Sequence, residues 1–191
     1  MRAHLLTAVG CSLLAAGAAA AAAPKYYFQV REVKAAPDVS PALKEYAGEA
    51  LKADLAARPE WASDIGAQGT DAVVAELKKR KLRGFYVTLR IEPIKKELKE
   101  PGPGGRLKRL ALTVRLSVFG TTIPEEKLSF SGDGEAGLES EVSEKHLEAE
   151  EAGLAKDAIK DAVKQAVDQA VLKLSLGTSA PMNEAKRKKK K

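Results

Sequence analysis

The sequence predicts a single α+β domain, a mainly antiparallel four-stranded sheet in the order β-α-α-β-β-β-α with helices on one face. Three observations predict it. Apolar residues fall at every second position in three stretches, around Phe28, Val87 and Val114, which is the period of a strand with one buried face. They fall at three- and four-residue spacing in three others, around Leu51, Val73 and Val163, which is the period of an amphipathic helix. Prolines and glycines punctuate the joins.

The elements follow in order. Residues 25–33 alternate Tyr26, Phe28 and Val30 against Tyr27, Gln29 and Arg31, and their aromatic and β-branched content suits a strand. Pro37 ends it. Ser40-Pro41 then supplies an N-cap hydroxyl with proline at the first helical position, and Leu43, Ala47, Leu51 and Leu55 make the buried stripe of a helix that stops before Pro59. Thr70-Asp71 is the expected cap of a second, short helix with Val73, Val74 and Leu77 inward, a basic last turn at 78–81 and Gly84 as its stop. Residues 84–98 and 110–119 read as two long strands, joined by Pro101-Gly102-Pro103-Gly104-Gly105 as the tip of an antiparallel hairpin. A shorter fourth strand is expected at 127–131, and the Gly- and Glu-rich stretch 131–143 reads as loop. Leu154, Ala158, Val163, Ala166, Val167, Ala170, Val171 and Leu174 mark a long final helix closed by Gly177.

The first 23 of the 191 residues have a different character. Arg2, the apolar run from Leu5 to Leu14 and the small residues up to Ala23 form the three parts of a secretory signal, with cleavage expected near Ala21 or Ala22. This leaves one domain at 24–177, large enough for its own core, and a disordered basic tail at 178–191. No later stretch approaches the ~20 apolar residues of a transmembrane helix. The single cysteine, Cys11, follows Ala8-Val9-Gly10, which resembles the lipid-attachment site of bacterial lipoproteins with Ala where Leu is usual, so lipidation at Cys11 is the minor alternative to the ordinary cut. If Cys11 leaves with the signal, disulfides, cysteine-ligated metals and cysteine nucleophiles leave with it.

The formal charge of +6 is unevenly placed. Of 32 basic residues, Arg2 and the six of Lys186, Arg187, Lys188, Lys189, Lys190 and Lys191 lie outside 24–185, leaving 25 against 26 acidic residues. The body is therefore neutral and does not predict a nucleic-acid groove, while the tail predicts non-specific attraction to anionic surfaces.

No residue set predicts catalysis or a cofactor. Gly132-Asp133-Gly134-Glu135-Ala136-Gly137 has the spacing of a dinucleotide loop, but its carboxylates would repel a pyrophosphate and no βαβ unit surrounds it. His146 is the sole histidine after the signal and has neither a second imidazole for zinc nor a nucleophile to activate. The glutamates of 135–151 lie in polar surroundings that would not raise a carboxyl pKa. Trp61 is expected to pack at the core edge. The candidate binding face is the outward side of the long strands, where Tyr86, Thr88 and Arg90 lie beside Arg109, Thr113, Arg115 and Ser117.

The segments 41–55, 84–91 and 155–174, in the order Ser-Pro-capped helix, long hairpin strand and Ala/Val-rich final helix, resemble small envelope proteins of Gram-negative bacteria, among them the curli-secretion lipoprotein and the lipoprotein activators of penicillin-binding proteins. The resemblance implies a periplasmic or outer-membrane-associated scaffold. The expectation is thus an exported, non-enzymatic interaction or assembly module without cofactor, with a periplasmic protein that binds small molecules or anions on Arg90 and Arg115 as the alternative.

Overall fold

A computed structural model describes residues 24–62, 64–101 and 106–179, with side chains described to 176. The signal region with Cys11, residues 102–105 of the hairpin tip and 180–191 of the basic tail lie outside the described residues.

The order is β1 (Tyr26–Ala35), α1 (Pro41–Ala56), β2 (Trp61–Ala62), α2 (Thr70–Arg80), β3 (Arg83–Ile91), β4 (Lys95–Lys99), β5 (Lys108–Thr122), β6 (Leu128–Val142) and, after a 3₁₀ turn at Glu144–His146, α3 (Leu147–Ser179). The α+β class stands, and the sheet needs correction. It is six-stranded and mixed. β1 pairs in parallel with β3 because two helices intervene, long enough a connection for the chain to return to the same end of the sheet. β5 is the hub: it pairs antiparallel with β6 along one edge, and on the other with β3 over Leu116–Thr122 and β4 over Arg109–Thr113. The single strand expected over 84–98 is divided, because Pro93 cannot donate to a ladder and residues 92–94 step out of it.

The largest departure is β6. The stretch expected as loop makes up all but the first three residues of a fifteen-residue strand, and its glycines are packing devices. A Cβ on Gly132 would lie 1.9 Å from the Ala166 carbonyl oxygen, and one on Gly134 would lie 1.9 Å from that of Ala162. Only a strand with hydrogen at these positions lets α3 come so close, and α3 answers with its own small residues Ala158, Ala162, Ala166 and Ala170, all buried. The helix also begins earlier than its first apolar residue suggests, at Leu147, and continues past Gly177 to Ser179.

α1 and α3 cover one face, as expected. Their main core joins Leu51, Leu55, Phe85, Val87, Leu89, Val114, Leu116, Val163 and Val167. Ser40 caps α1 as predicted, its Oγ accepting the Leu43 N–H at 3.3 Å. α2 departs from the one-face expectation. Gly84 does not stop it; Lys81 in the left-handed conformation does, and Gly84 lies in β3, where a Cβ would sit 2.3 Å from Leu77 Cδ1. α2 therefore packs on the opposite face of the sheet, around Tyr27, Ile65, Val73, Leu77 and Ile123. Its N-cap is Gly69, with no side-chain hydrogen bond, rather than Thr70-Asp71.

Trp61 is buried as expected. It stacks on Phe28 at 3.9 Å between ring centroids and leads an aromatic row through Phe85 to Phe130. Arg58 lies over its ring and bonds Asp54 of α1 and Asp168 of α3, locking both helices to this end of the sheet. Burial acts to lower the Arg58 pKa, but the bonds to the two carboxylates outweigh it and hold the guanidinium above its ordinary value.

Candidate binding face

The sheet face not covered by α1 and α3 is where the predicted residues meet. Cross-strand partners point to the same side, so the registers Tyr86 with Thr121, Arg90 with Ser117 and Lys99 with Arg109 put Tyr86, Thr88, Arg90, Arg109, Thr113, Arg115 and Ser117 on one surface. They share a face and not a pocket. Six positions separate Arg109 from Arg115, about 20 Å along a strand. Tyr86 is set apart further: it packs against the α2 cluster, and Arg31 lies over its ring at 5.0 Å while bonding Glu126 at 2.6 Å.

Two strands change the electrostatics of this surface: β4, expected only as the end of the strand over 84–98, and β6, most of it expected as loop. β4 adds Lys95, Glu97 and Lys99 opposite Thr113, Ala111 and Arg109, with Glu97 pairing Lys99 at 3.8 Å. β6 adds Asp133, Glu135, Glu139 and Glu141, opposite Ser117, Arg115, Ala111 and Arg109. The face is thus two bands, predominantly basic on β3, β4 and β5 with Glu97 the exception, acidic on β6. The bands neutralise each other where they touch: Arg115 donates to Glu135 at 2.9 Å and Ser117 Oγ donates to Asp133 at 2.7 Å. The Arg115 bond raises the guanidinium pKa and holds Glu135 below its ordinary value. Lys108, at the far end of β5, is raised in the same way by its bond to Glu144, which is lowered in return. Among the described residues Arg90, Lys95 and Arg109 have no carboxylate within ion-pair distance. A period-two signal could have found β6: in 132–139 the small residues Gly132, Gly134 and Ala136 alternate with Asp133, Glu135 and Gly137.

The other candidates find plain places. His146 is exposed in the 3₁₀ turn before α3. The glutamates of 135–151 are divided between the β6 face and the start of α3. Among the described residues no polar or charged side chain is fully buried, and no three His, Cys, Asp or Glu converge to hold a metal. Cavities are open clefts. Two of about 300 and 430 Å³ follow each other between β1 and α1, sharing Val30 and Lys52. No helix among the described residues is long and apolar enough to cross a membrane.

No protein-family model matches the chain. No curated protein matches it in sequence. Among solved structures it is similar to a minor lipoprotein from Acinetobacter baumannii, at 10% identity and a TM-score of 0.42 over 78% of this chain and 93% of that one. It is also similar to uncharacterized lipoprotein B from Nitrosomonas europaea, at 16% identity and a TM-score of 0.34 over 82% and 84%. A DUF330 protein from Xanthomonas campestris aligns at 12% identity and a TM-score of 0.37 over 82% and 85%.

Proposed function

We propose that this chain is an exported, non-enzymatic envelope protein that binds a protein or envelope polymer through the open face of its sheet. The observation that carries the reading is the basic band. Arg90, Lys95 and Arg109 stand on strands without an ion pair among the described residues, beside the hydroxyls of Thr88 and Thr113, so their charge is available to an extended partner. Their spread suits a long, repeating or flat ligand better than a small anion, since Arg115, the second residue of an Arg90/Arg115 anion site, is already held by Glu135. Export rests on the three-part N-terminal segment.

Two measurements test this. Fractionation with intact mass should find a product beginning near Ala21 or Ala22 in the periplasm; a product retaining Met1 in the cytoplasm overturns export, and a lipid-bearing product beginning at Cys11 moves the protein to the membrane. Binding of the purified protein to washed envelopes should then weaken at least about tenfold in an Arg90→Glu/Arg109→Glu variant, the loss of two charge-assisted contacts. Unchanged binding with native circular dichroism overturns the face.

A further inference from the structure

The sheet has three free edges, and two are blocked. β4 is Lys95-Lys96-Glu97-Leu98-Lys99, exposed throughout and charged at four of five positions. On β6, the outward amides of Asp133 and Glu135 are taken by Gln169 and Gln165 of α3, at 3.2 and 3.4 Å. β1 differs. β2 covers it only at Tyr26 and Tyr27, and among the described residues no strand pairs with the outer side of residues 28–35.

We propose that this edge pairs with the same edge of a second copy, β1 antiparallel to β1 across a two-fold axis, to make one continuous sheet. The backbone directions define the register. The Tyr26 N–H points outward, to the Glu60 carbonyl at 3.2 Å, while the Lys25 carbonyl points inward and accepts the Arg83 N–H at 3.1 Å. Alternation makes 28 and 30 outward. Beyond the bulge between Val30 and Glu32, the Ala36 N–H points inward to the Ile91 carbonyl at 3.0 Å, so 33 and 35 are outward. The bulge therefore switches the outward positions from even to odd. One register satisfies both halves: Val30 opposite Val33 of the second copy and Phe28 opposite its Ala35, every outward group meeting an outward group.

Side chains agree with that register. Phe28, Val30, Val33 and Ala35 all belong to the main core face, so the hydrogen-bonded pairs are apolar and lie under α1. On the other face Arg31 meets Glu32 and Gln29 meets Lys34 of the second copy. Within one copy Arg31 bonds Glu126 and Glu32 pairs with Lys34 at 3.3 Å, so the contact across the axis exchanges these exposed pairs for the one between copies. A slip of one residue either way sets Arg31 on Arg31 or Glu32 on Glu32. The helix layer is complementary about the same axis. α1 lies beside β1 with Gly48 next to Val33, and an antiparallel copy brings Glu45 against Lys52 with Gly48 near the crossing. Val30 and Val33, half-buried here, become fully covered.

The contact lies on an edge and leaves the basic face free, so its failure would leave the reading of that face untouched. Sedimentation velocity of the purified protein over a wide concentration range should give a dimer. Val33→Pro removes an outward N–H and no ladder bond to β3, and should weaken dimerisation at least about tenfold while native circular dichroism is retained. Glu32→Lys should weaken it too, because it sets a like charge against the second copy's Arg31. A monomer at every concentration, or a dimer that a folded Val33→Pro variant leaves unchanged, overturns the proposal.

Discussion

β1 and β6 lie towards opposite sides of one sheet and solve the edge problem in opposite ways. β6 has a long helix against it: α3 presses backbone to backbone on Gly132 and Gly134 and lends two glutamine side chains to the outward amides of its edge. β1 has apolar side chains facing the core, a helix alongside and an edge that no strand among the described residues pairs beyond Tyr27. The difference teaches that an edge is closed by what packs on it, not by the strand propensity of its residues. β6, poor in strand-forming residues, is closed, and β1, rich in them, is open.

The comparison breaks most readily at the seam. In Gly134→Val the added Cβ meets the Ala162 carbonyl oxygen at 1.9 Å, a backbone atom that cannot rotate away. The helix must lift, and the expected cost is about 3 kcal/mol or more, the upper end for overpacking a tight site. Gly137→Ala on the same strand is the control, since its Cβ finds Thr113 Oγ1 at 3.6 Å and the Leu112 carbonyl oxygen at 3.9 Å, both ordinary contacts; it should change stability by less than about 0.5 kcal/mol. Urea unfolding of both variants decides the matter, and equal effects would show that close approach is not what these glycines serve.

This seam also marks the limit of what the sequence shows. The α1 cap, the stripe of α3, the alternation of β3 and β5 and the shared face of Tyr86, Arg90, Arg109 and Arg115 are local patterns, and local patterns survive folding. Residues 131–143 read as loop because glycine and glutamate are poor strand formers, and the reason for Gly132 and Gly134 lies about thirty residues away in α3. Gly84 misled in the same way: it follows a helix, but its missing Cβ makes room for Leu77 packing on the sheet. The acidic half of the candidate face was lost with β6, and with it the pairing of Arg115 to Glu135. The parallel pairing of β1 with β3 is set by topology, since alternation is the same for either direction.

A smaller effect is expected where α3 serves the β6 edge. Gln169→Ala removes the acceptor of the Asp133 amide and should cost about 1 kcal/mol, the usual worth of a neutral hydrogen bond, with Gln165→Ala costing less because its bond is longer. Amide hydrogen exchange is the sharper readout. The Asp133 and Glu135 amides should exchange faster in the matching variants, while amides bonded to β5 keep their rates. Uniform acceleration along β6 would mean that the glutamines support the whole helix and not the edge.

The smallest effect concerns the line where the acidic and basic bands meet. Glu135 is held below its ordinary value of 4.5 by the Arg115 bond, as Glu144 is by Lys108 and Glu76 by Arg80. A carboxyl depressed in the folded state binds fewer protons than in the unfolded one, so its contribution is present above the unfolded value and is lost as pH falls through the folded value. Stability should therefore decline gently below about pH 4.5, less so at high salt because Glu135 and Glu144 are exposed and Glu76 is only partly covered. Glu135→Gln removes one of the three and should flatten the decline, read as the urea midpoint between neutral and acid pH. An unchanged slope would mean that Arg115 gains nothing from Glu135 in solution, and would return Arg115 to the free bases of the open face.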